Sequence, residues 1–240
     1  HTANQALDSL QLAVEQFDNI TIDLIYGTPQ LTNEKWKYNV DTAIRLNIPH
    51  LSCYALTVEP KTPLDKMIKQ HKSEDINADK QSEQFLLLMQ WLEEAGYEQY
   101  EISNFAKPNW RSRHNSSYWQ GKKYLGLGPS AHSFNGKARQ WNVANNNIYI
   151  ASVNNGIIPT EKEELTTTQK MNEYIMTSLR TMEGIQLQAA GNGLPDRGKE
   201  LLEKSQRFIN SGLMKLENNS LVLTREGKLL ADGIASDLFF

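Results

Sequence analysis

Apolar residues in 2–17 fall at Ala3, Ala6, Leu7, Leu10, Ala13, Val14 and Phe17, the spacing of one helix face, and Thr2 stands where it would cap that helix. Residues 20–26 then read Ile-Thr-Ile-Asp-Leu-Ile-Tyr, a β-branched run that predicts a buried strand. A carboxylate inside such a strand is costly unless paired, so Asp23 is expected to have a partner or to face a ligand. Gly27-Thr28-Pro29 breaks the strand. Residues 32–46 predict a second helix capped by Thr32, and residues 50–56 a second buried strand that ends before Glu59, Pro60 and Pro63. The order α, β, α, β is that of parallel βαβ units, which bind ligands beyond the carboxyl ends of their strands. That rim carries Tyr26, Gly27 and Thr28 after one strand and Tyr54, Ala55 and Leu56 after the next.

Residues 62–75 are polar and predict a short helix and a loop. Residues 78–96 give the strongest helical stripe, Phe85, Leu88, Met89, Leu92 and Ala95, stopped by Gly96. Residues 97–105 alternate with a period of two and predict one strand. Residues 124–134 are strand-like but hold Gly126, Gly128 and Pro129, which marks close approach of another backbone or a ligand. Between these two runs lies a loop crowded with Trp, Tyr, Arg and His, a composition that points to binding or, equally, to Trp110, Tyr118 and Trp119 capping an exposed core edge. An Asn-rich stretch, 142–155, surrounds Tyr149. Beyond about residue 160 the character changes. Residues 161–166 and 167–180 predict a capped helix, 191–198 a weak loop and 198–211 a further helix. A hairpin is predicted across 217–219, and one helix over 224–235 capped by Thr224. Helices followed by a hairpin and a helix suggest a small winged-helix-like module, without the basic recognition helix that DNA binding needs. The predicted fold class is thus α/β, with domains at 1–158 and 159–240.

The 240 residues carry a net charge of −3, which leaves no global basic field for nucleic acid. The single cysteine, Cys53, excludes an internal disulfide and a Cys-rich metal site, and it points to a reducing, cytoplasmic compartment. No apolar run is long enough to span a membrane, and no signal segment opens the chain. The chain reads as though it begins in the middle of a fold.

Walker, GxSxG and HExxH motifs are absent, and no catalytic residue is assigned. Asp23 is the best single ligand contact, because a carboxylate at a parallel strand accepts from both ribose hydroxyls; a structural hydrogen bond is the equal alternative. His114 and His132 are able to ligate iron through neutral imidazole, or to serve as hydrogen-bonded structural residues. Arg111 and Arg113 are able to clamp carboxylates, or to be solvated loop charges.

The run Ile22-Asp23-Leu24-Ile25-Tyr26-Gly27-Thr28-Pro29 resembles a segment of the oxygen-independent coproporphyrinogen III oxidase family of radical SAM enzymes. The run Tyr100-Glu101-Ile102-Ser103-Asn104-Phe105-Ala106-Lys107-Pro108 resembles the coproporphyrinogen-oxidase-like branch, described as haem chaperones. So do Arg113-His114-Asn115, Tyr118-Trp119, and the run from Tyr124 through Gly126, Gly128 and Pro129 to Ser133. The resemblance covers the whole chain, tightly to about residue 134.

It implies the last part of a parallel radical SAM (β/α)6 partial barrel followed by a winged-helix-like C-terminal domain. It also implies S-adenosylmethionine (SAM) and a [4Fe–4S] cluster held by a CxxxCxxC motif in the full-length protein, and haem as a ligand. By position, Asp23 would bind the SAM ribose, Ala55 the adenine side, and His132 a further SAM contact that is apolar in the oxidases. His114 or His132 would be axial haem ligands, and Arg111 or Arg113 would pair with propionates. No cluster motif is present, so this chain alone is expected to be inactive toward SAM. An unpaired sheet edge is expected to drive a homo-oligomer. Partners would be haem or porphyrinogen and a haem-receiving protein. The alternatives are a genuine oxidase acting on porphyrinogen propionates, and a catalytically silent protein-interaction domain.

Overall fold

Thr2 caps the first helix, α1 (Ala3–Gln16), through a capping box: its side chain accepts from the Gln5 N–H, and the Gln5 side chain accepts from the Thr2 N–H at 2.8 Å. The structure is a computed structural model that describes residues 2–190 and 195–240. It forms two compact units, His1–Ser112 with Leu223–Leu229, and Arg113–Val222 with Leu230–Phe240.

In the first unit α1 leads into β1 (Thr21–Tyr26), α2 (Asn33–Arg45), β2 (His50–Ala55), α3 (Pro63–Lys69) and α4 (Ala78–Glu94). A hairpin of β3 (Glu98–Glu101) and β4 (Asn104–Ala106) follows. The sheet order is β1-β2-β4-β3. The parallel pair predicted from the βαβ order is present, with Asp23 opposite Ser52 and Tyr26 opposite Ala55. Strand β4 pairs with β2 antiparallel.

Two expectations are corrected here. Residues 97–105 form not one strand but a strand, a turn at Ile102-Ser103 and a returning strand, with a register shift between Gln99 and Glu101. The alternation that predicted a single strand runs through that turn. Strand β1 is not buried on both faces either. Its exposure alternates because Ile22, Leu24 and Tyr26 face the core while Thr21, Asp23 and Ile25 lie on the open face, where Ile25 is 52% exposed. Asp23 therefore lies in water and needs no buried partner.

The core of this unit sits on the other face, where Trp36, Val40, Leu51, Cys53, Phe85, Leu88, Leu92 and Phe105 pack. The predicted stripe of α1 covers its edge as half-buried side chains, and Phe17 stays exposed. One buried polar side chain organises the loop after β1. Gln84 on α4 is fully buried, accepts from the Gly27 N–H at 2.8 Å and donates to the Leu31 carbonyl at 2.9 Å. The indole of Trp36 donates to the Gln84 carbonyl at 3.2 Å. Gly27 adopts φ +70°, and a Cβ there would lie 2.3 Å from the Gln81 side chain, so the tight passage of this loop requires glycine. The short α10 (Arg225–Lys228), capped by Thr224, also belongs to this unit: Arg225 pairs with Glu93, and Lys228 donates to Gln99 at 2.8 Å.

The second unit begins with α5 (Arg113–Trp119) and the antiparallel strands β5 (His132–Phe134), β6 (Ala138–Asn142) and β7 (Thr160–Glu164), with α6 (Asn146–Asn154) between β6 and β7. It continues with α7 (Thr167–Leu179), β8 (Ile185–Gln186), α8 (Leu187–Ala190), α9 (Pro195–Asn210), β9 (Met214–Glu217), β10 (Ser220–Leu223) and α11 (Ala231–Leu238). Sheet β8-β10-β9 with its helices has the make-up expected of the winged-helix-like module.

Residues 161–166 are a correction: 160–164 are strand β7, exposed along its whole length and paired to β6. The expected capped helix starts at Thr167, where Thr166 and Gln169 form a capping box on α7. The predicted hairpin turn is present, and Asn218 and Asn219 both take positive φ, which Asn tolerates better than most residues. The single helix expected over 224–235 is two, α10 and α11, divided at Leu229 and Leu230. Of the loop expected at 191–198, residues 191–194 lie outside the described residues and 195–198 are helical. Apolar side chains of α7, α9 and α11 fill the interior, among them Ile175, Leu179, Leu201, Ile234 and Leu238.

Candidate functional site

In the first unit the sheet face opposite the core is polar. Register places Thr21, Asp23 and Ile25 of β1 beside His50, Ser52 and Tyr54 of β2. His50 is buried; a hydrogen bond of 2.6 Å joins its Nδ1 to Thr21 Oγ1, and one of 2.8 Å joins its Nε2 to the Tyr100 hydroxyl. Burial lowers the pKa of His50, and nearby Asp23 partly offsets this. Burial likewise pushes the Tyr100 phenol up to about 12.

Next to this chain runs a second one. Ser52 Oγ donates to Asn104 Oδ1 at 3.2 Å, and the Asn104 amide donates to Glu101, whose carboxylate also accepts from the Ser103 N–H at 3.0 Å. Glu101 is 1% exposed, so the hairpin turn is built around a buried carboxylate. Arg111 is engaged locally. It pairs with Glu98 at 3.3 Å and lies over the Tyr100 ring at 5.5 Å. Thr21, Asp23, Ile25 and Tyr54 form the accessible part of this face, and Ala55 closes the β2 end of the rim. The face offers a carboxylate, hydroxyls and a phenol to a polar ligand, and its buried network holds these groups in place.

In the second unit α5 presents the motif His114-Asn115-Ser116-Ser117-Tyr118-Trp119. Helical spacing i, i+4 stacks His114 edge-on against Tyr118 at 5.0 Å between ring centroids. Tyr118 meets Tyr124 at 5.0 Å, and Tyr124 meets Phe134 at 6.3 Å. These four rings form a ladder, with His114 exposed at one end. Neither ring nitrogen of His114 makes a hydrogen bond among the described residues. Arg113 is exposed beside it. The other end of α5 is held by Arg180, the C-cap of α7, whose guanidinium lies 5.3 Å from the Trp119 ring centre and pairs with Asp232 at 2.9 Å.

His132 stands apart from this ladder on β5. It is exposed, lies opposite Trp141 at 6.1 Å, and lines a groove of about 640 Å³ with Ser130, Asn142, Pro159 and Glu161. The Trp141 indole donates to Glu161 at 3.2 Å.

The predicted residues therefore divide between two places. Asp23 and Ala55 lie on the sheet of the first unit, with Arg111 on its β3–β4 side. Arg113, His114 and His132 lie in the second unit. Sequence reading missed the two neighbouring hydrogen-bond chains, His50 with Tyr100 and Ser52 with Asn104 and Glu101. The signal for them was present in the spacing of His50 and Ser52, which puts both on the Asp23 face of a parallel pair. No group of three His, Cys, Asp or Glu able to hold a metal exists among the described residues. Cys53 is 1% exposed, and burial pushes its thiol up. A [4Fe–4S] cluster needs several thiolates, so the residues of this chain do not supply a set for one. No helix among the described residues is long and apolar enough to cross a membrane.

A family model described as the HemN C-terminal domain matches residues 165–230. The Heme chaperone HemW of Mycobacterium tuberculosis (strain ATCC 25618 / H37Rv) is 31% identical over 240 residues, covering 99% of this chain and 60% of that protein. The Heme chaperone HemW of Bacillus subtilis (strain 168) is 31% identical over 244 residues, covering 98% of this chain and 62% of the relative. A mitochondrial radical S-adenosyl methionine domain-containing protein 1 of Dictyostelium discoideum is 31% identical over 98% of this chain and 60% of its own. The solved structure of coproporphyrinogen III oxidase (HemN) from Escherichia coli, described as a radical SAM enzyme, superposes with a TM-score of 0.76 at 20% identity. It covers 100% of this chain and 59% of that one, and the likeness establishes the fold. The chain spans about three fifths of the length of the curated relatives it matches. By these likenesses, and by the C-terminal domain it carries, the chain belongs to the radical SAM coproporphyrinogen oxidase-like family of HemN and HemW.

Proposed function

We propose that this chain is the haem-binding part of a haem chaperone, with His114 as the axial ligand to iron. The observation that carries this reading is the ring ladder. An exposed imidazole, free of hydrogen bonds among the described residues, stands at the head of Tyr118, Tyr124 and Phe134, beside exposed Arg113. Neutral imidazole binds iron, aromatic edges pack on a porphyrin, and a guanidinium suits a propionate. Arg111, held by Glu98 and Tyr100, is the weaker of the two propionate candidates. The 31% identity to proteins named haem chaperones supports the same reading.

In the longer protein of such a family, SAM would meet Asp23 and the backbone at Ala55. Asp23 fits that role: it is exposed, in register with Ser52, and able to accept from two hydroxyls. The cluster that activates SAM supplies radical chemistry when bound, and residues outside this chain would have to hold it. A haem-receiving protein and a cytoplasmic location belong to the same proposal.

A haemin titration followed by absorbance tests the reading. A saturable Soret change is expected in the chain and in His132→Ala, and its loss or displacement in His114→Ala. A second reading places the iron on His132, because that imidazole lines the groove beside Trp141; the reversed pattern of the two variants would select it. No saturable change in the unaltered chain would refute both and return the protein to the oxidase reading.

A further inference from the structure

The loop between Tyr124 and Ser130 holds two leucines in water on a fixed backbone. Leu125 is 74% exposed and Leu127 81%. Between them Gly126 donates its N–H to the buried Ser133 Oγ at 2.9 Å, and a Cβ at this position would lie 2.1 Å from the His132 carbonyl oxygen. The buried Asn142 donates to the Gly128 carbonyl at 2.8 Å, and the Gly128 N–H donates to the Tyr149 hydroxyl at 3.3 Å. At the start of the loop Tyr124 and Phe134 exchange backbone hydrogen bonds of 3.0 and 2.9 Å. The backbone polar groups are thus satisfied from inside the unit, and the leucines point outward because the loop is built that way.

Two cations stand immediately before this loop. Lys122 and Lys123 are exposed, and neither forms an ion pair among the described residues. The ring between the cations and the leucines is Tyr124, the third member of the His114 ladder. Along residues 122–127 the order is cation, cation, aromatic ring, leucine, glycine, leucine. Haem has the matching composition: a flat apolar ring with two carboxylates on one edge.

We infer that residues 122–127 are the second wall of the haem site, with Leu125 and Leu127 covering the porphyrin face while Lys122 and Lys123 pair with its propionates. The inference rests on the haem-binding reading above and extends it to residues outside the HNSSYW motif. Charge complementarity and continuity with the ring ladder through Tyr124 single out this occupant.

The test compares haemin with its dimethyl ester, which keeps the ring and iron but removes both negative charges. Lys122→Gln/Lys123→Gln is expected to bind haemin roughly fivefold more weakly and the ester as the unaltered chain does. Leu125→Ser/Leu127→Ser is expected to weaken both ligands by about tenfold or more, with the Soret maximum unmoved because the iron ligand is untouched. All four positions are exposed, and circular dichroism identical to the unaltered chain confirms that each variant is folded. If both double variants bind both ligands with unaltered affinity, the inference falls while the haem reading stands. A lysine variant that weakens haemin and ester equally overturns the propionate pairing. An unaltered chain that binds no haemin overturns the reading and this inference together.

Discussion

Replacing Gln84 by Met tests the reasoning about the loop after β1 most directly. Methionine keeps nearly the same length and volume, so core packing around Trp36 and Phe85 is retained. Three side-chain bonds disappear: the one from the Gly27 N–H at 2.8 Å, the one to the Leu31 carbonyl at 2.9 Å and a longer one to Asn33 Oδ1 at 3.3 Å. The Trp36 bond goes to the backbone of residue 84 and survives. Gly27 is buried, so its N–H is left without water; a stranded group of this kind costs about 1–3 kcal/mol. Leu31 is half-buried, and its carbonyl adds a cost at the low end of the same range. The expected loss is about 2–4 kcal/mol, which at a typical urea dependence moves the midpoint down by roughly 1–2 M. Hydrogen exchange along a urea series, read on peptides covering residues 20–36, reports this unit separately from the other. A Met variant within about 0.3 M of the unaltered chain would show that these bonds contribute no net stability and that the loop is held by other contacts.

Two further outcomes follow from the same kind of accounting. His50 has a lowered pKa because it is buried, so the unfolded chain takes up its proton at a higher pH than the folded one. The stability that neutral His50 contributes is fully present above its unfolded pKa of about 6.5, and it is lost as pH falls through that value toward the folded pKa. Urea midpoints between pH 8 and pH 5 on roughly unit steps should therefore fall less steeply in His50→Gln, and equal slopes would contradict the assignment. Gly126→Ala should lower the thermal midpoint by the equivalent of about 1–3 kcal/mol, because the added carbon meets a backbone oxygen at 2.1 Å and not a yielding side chain. An unchanged midpoint would mean that the loop backbone gives way and is not fixed as described.

Elements with a long period were legible in the sequence. The stripe of α4, the capping residues Thr2, Thr32 and Thr224, and the parallel pairing of β1 with β2 all follow from spacing and cap chemistry. Failures occur where local pattern and tertiary placement diverge. Strand β1 is apolar enough to be buried on both faces, yet helices cover only the face that carries Ile22, Leu24 and Tyr26. The turn at Ile102-Ser103 contains no glycine or proline to announce it, because the buried Glu101 accepts from the Ser103 N–H and fixes the reversal from within. Strand β7, Thr-Glu-Lys-Glu-Glu, has the composition of a helix surface and becomes a strand only because β6 pairs with it. At the candidate sites, His114, Asp23 and the aromatic loop were visible as residue types. The His50–Tyr100 bond was not, because it joins positions fifty residues apart.

The seclusion of Cys53 has a practical consequence for spectroscopy. Its thiol is 1% exposed, is pushed up by burial and is the chain's only one, so thiolate reagents find no natural target in the native protein. Ile158→Cys, 73% exposed in the loop before β7 and outside the proposed haem wall, would then carry a spin label or fluorophore at a single defined address. Quenching of that label by a bound porphyrin would give the distance between loop and ligand without any background to subtract.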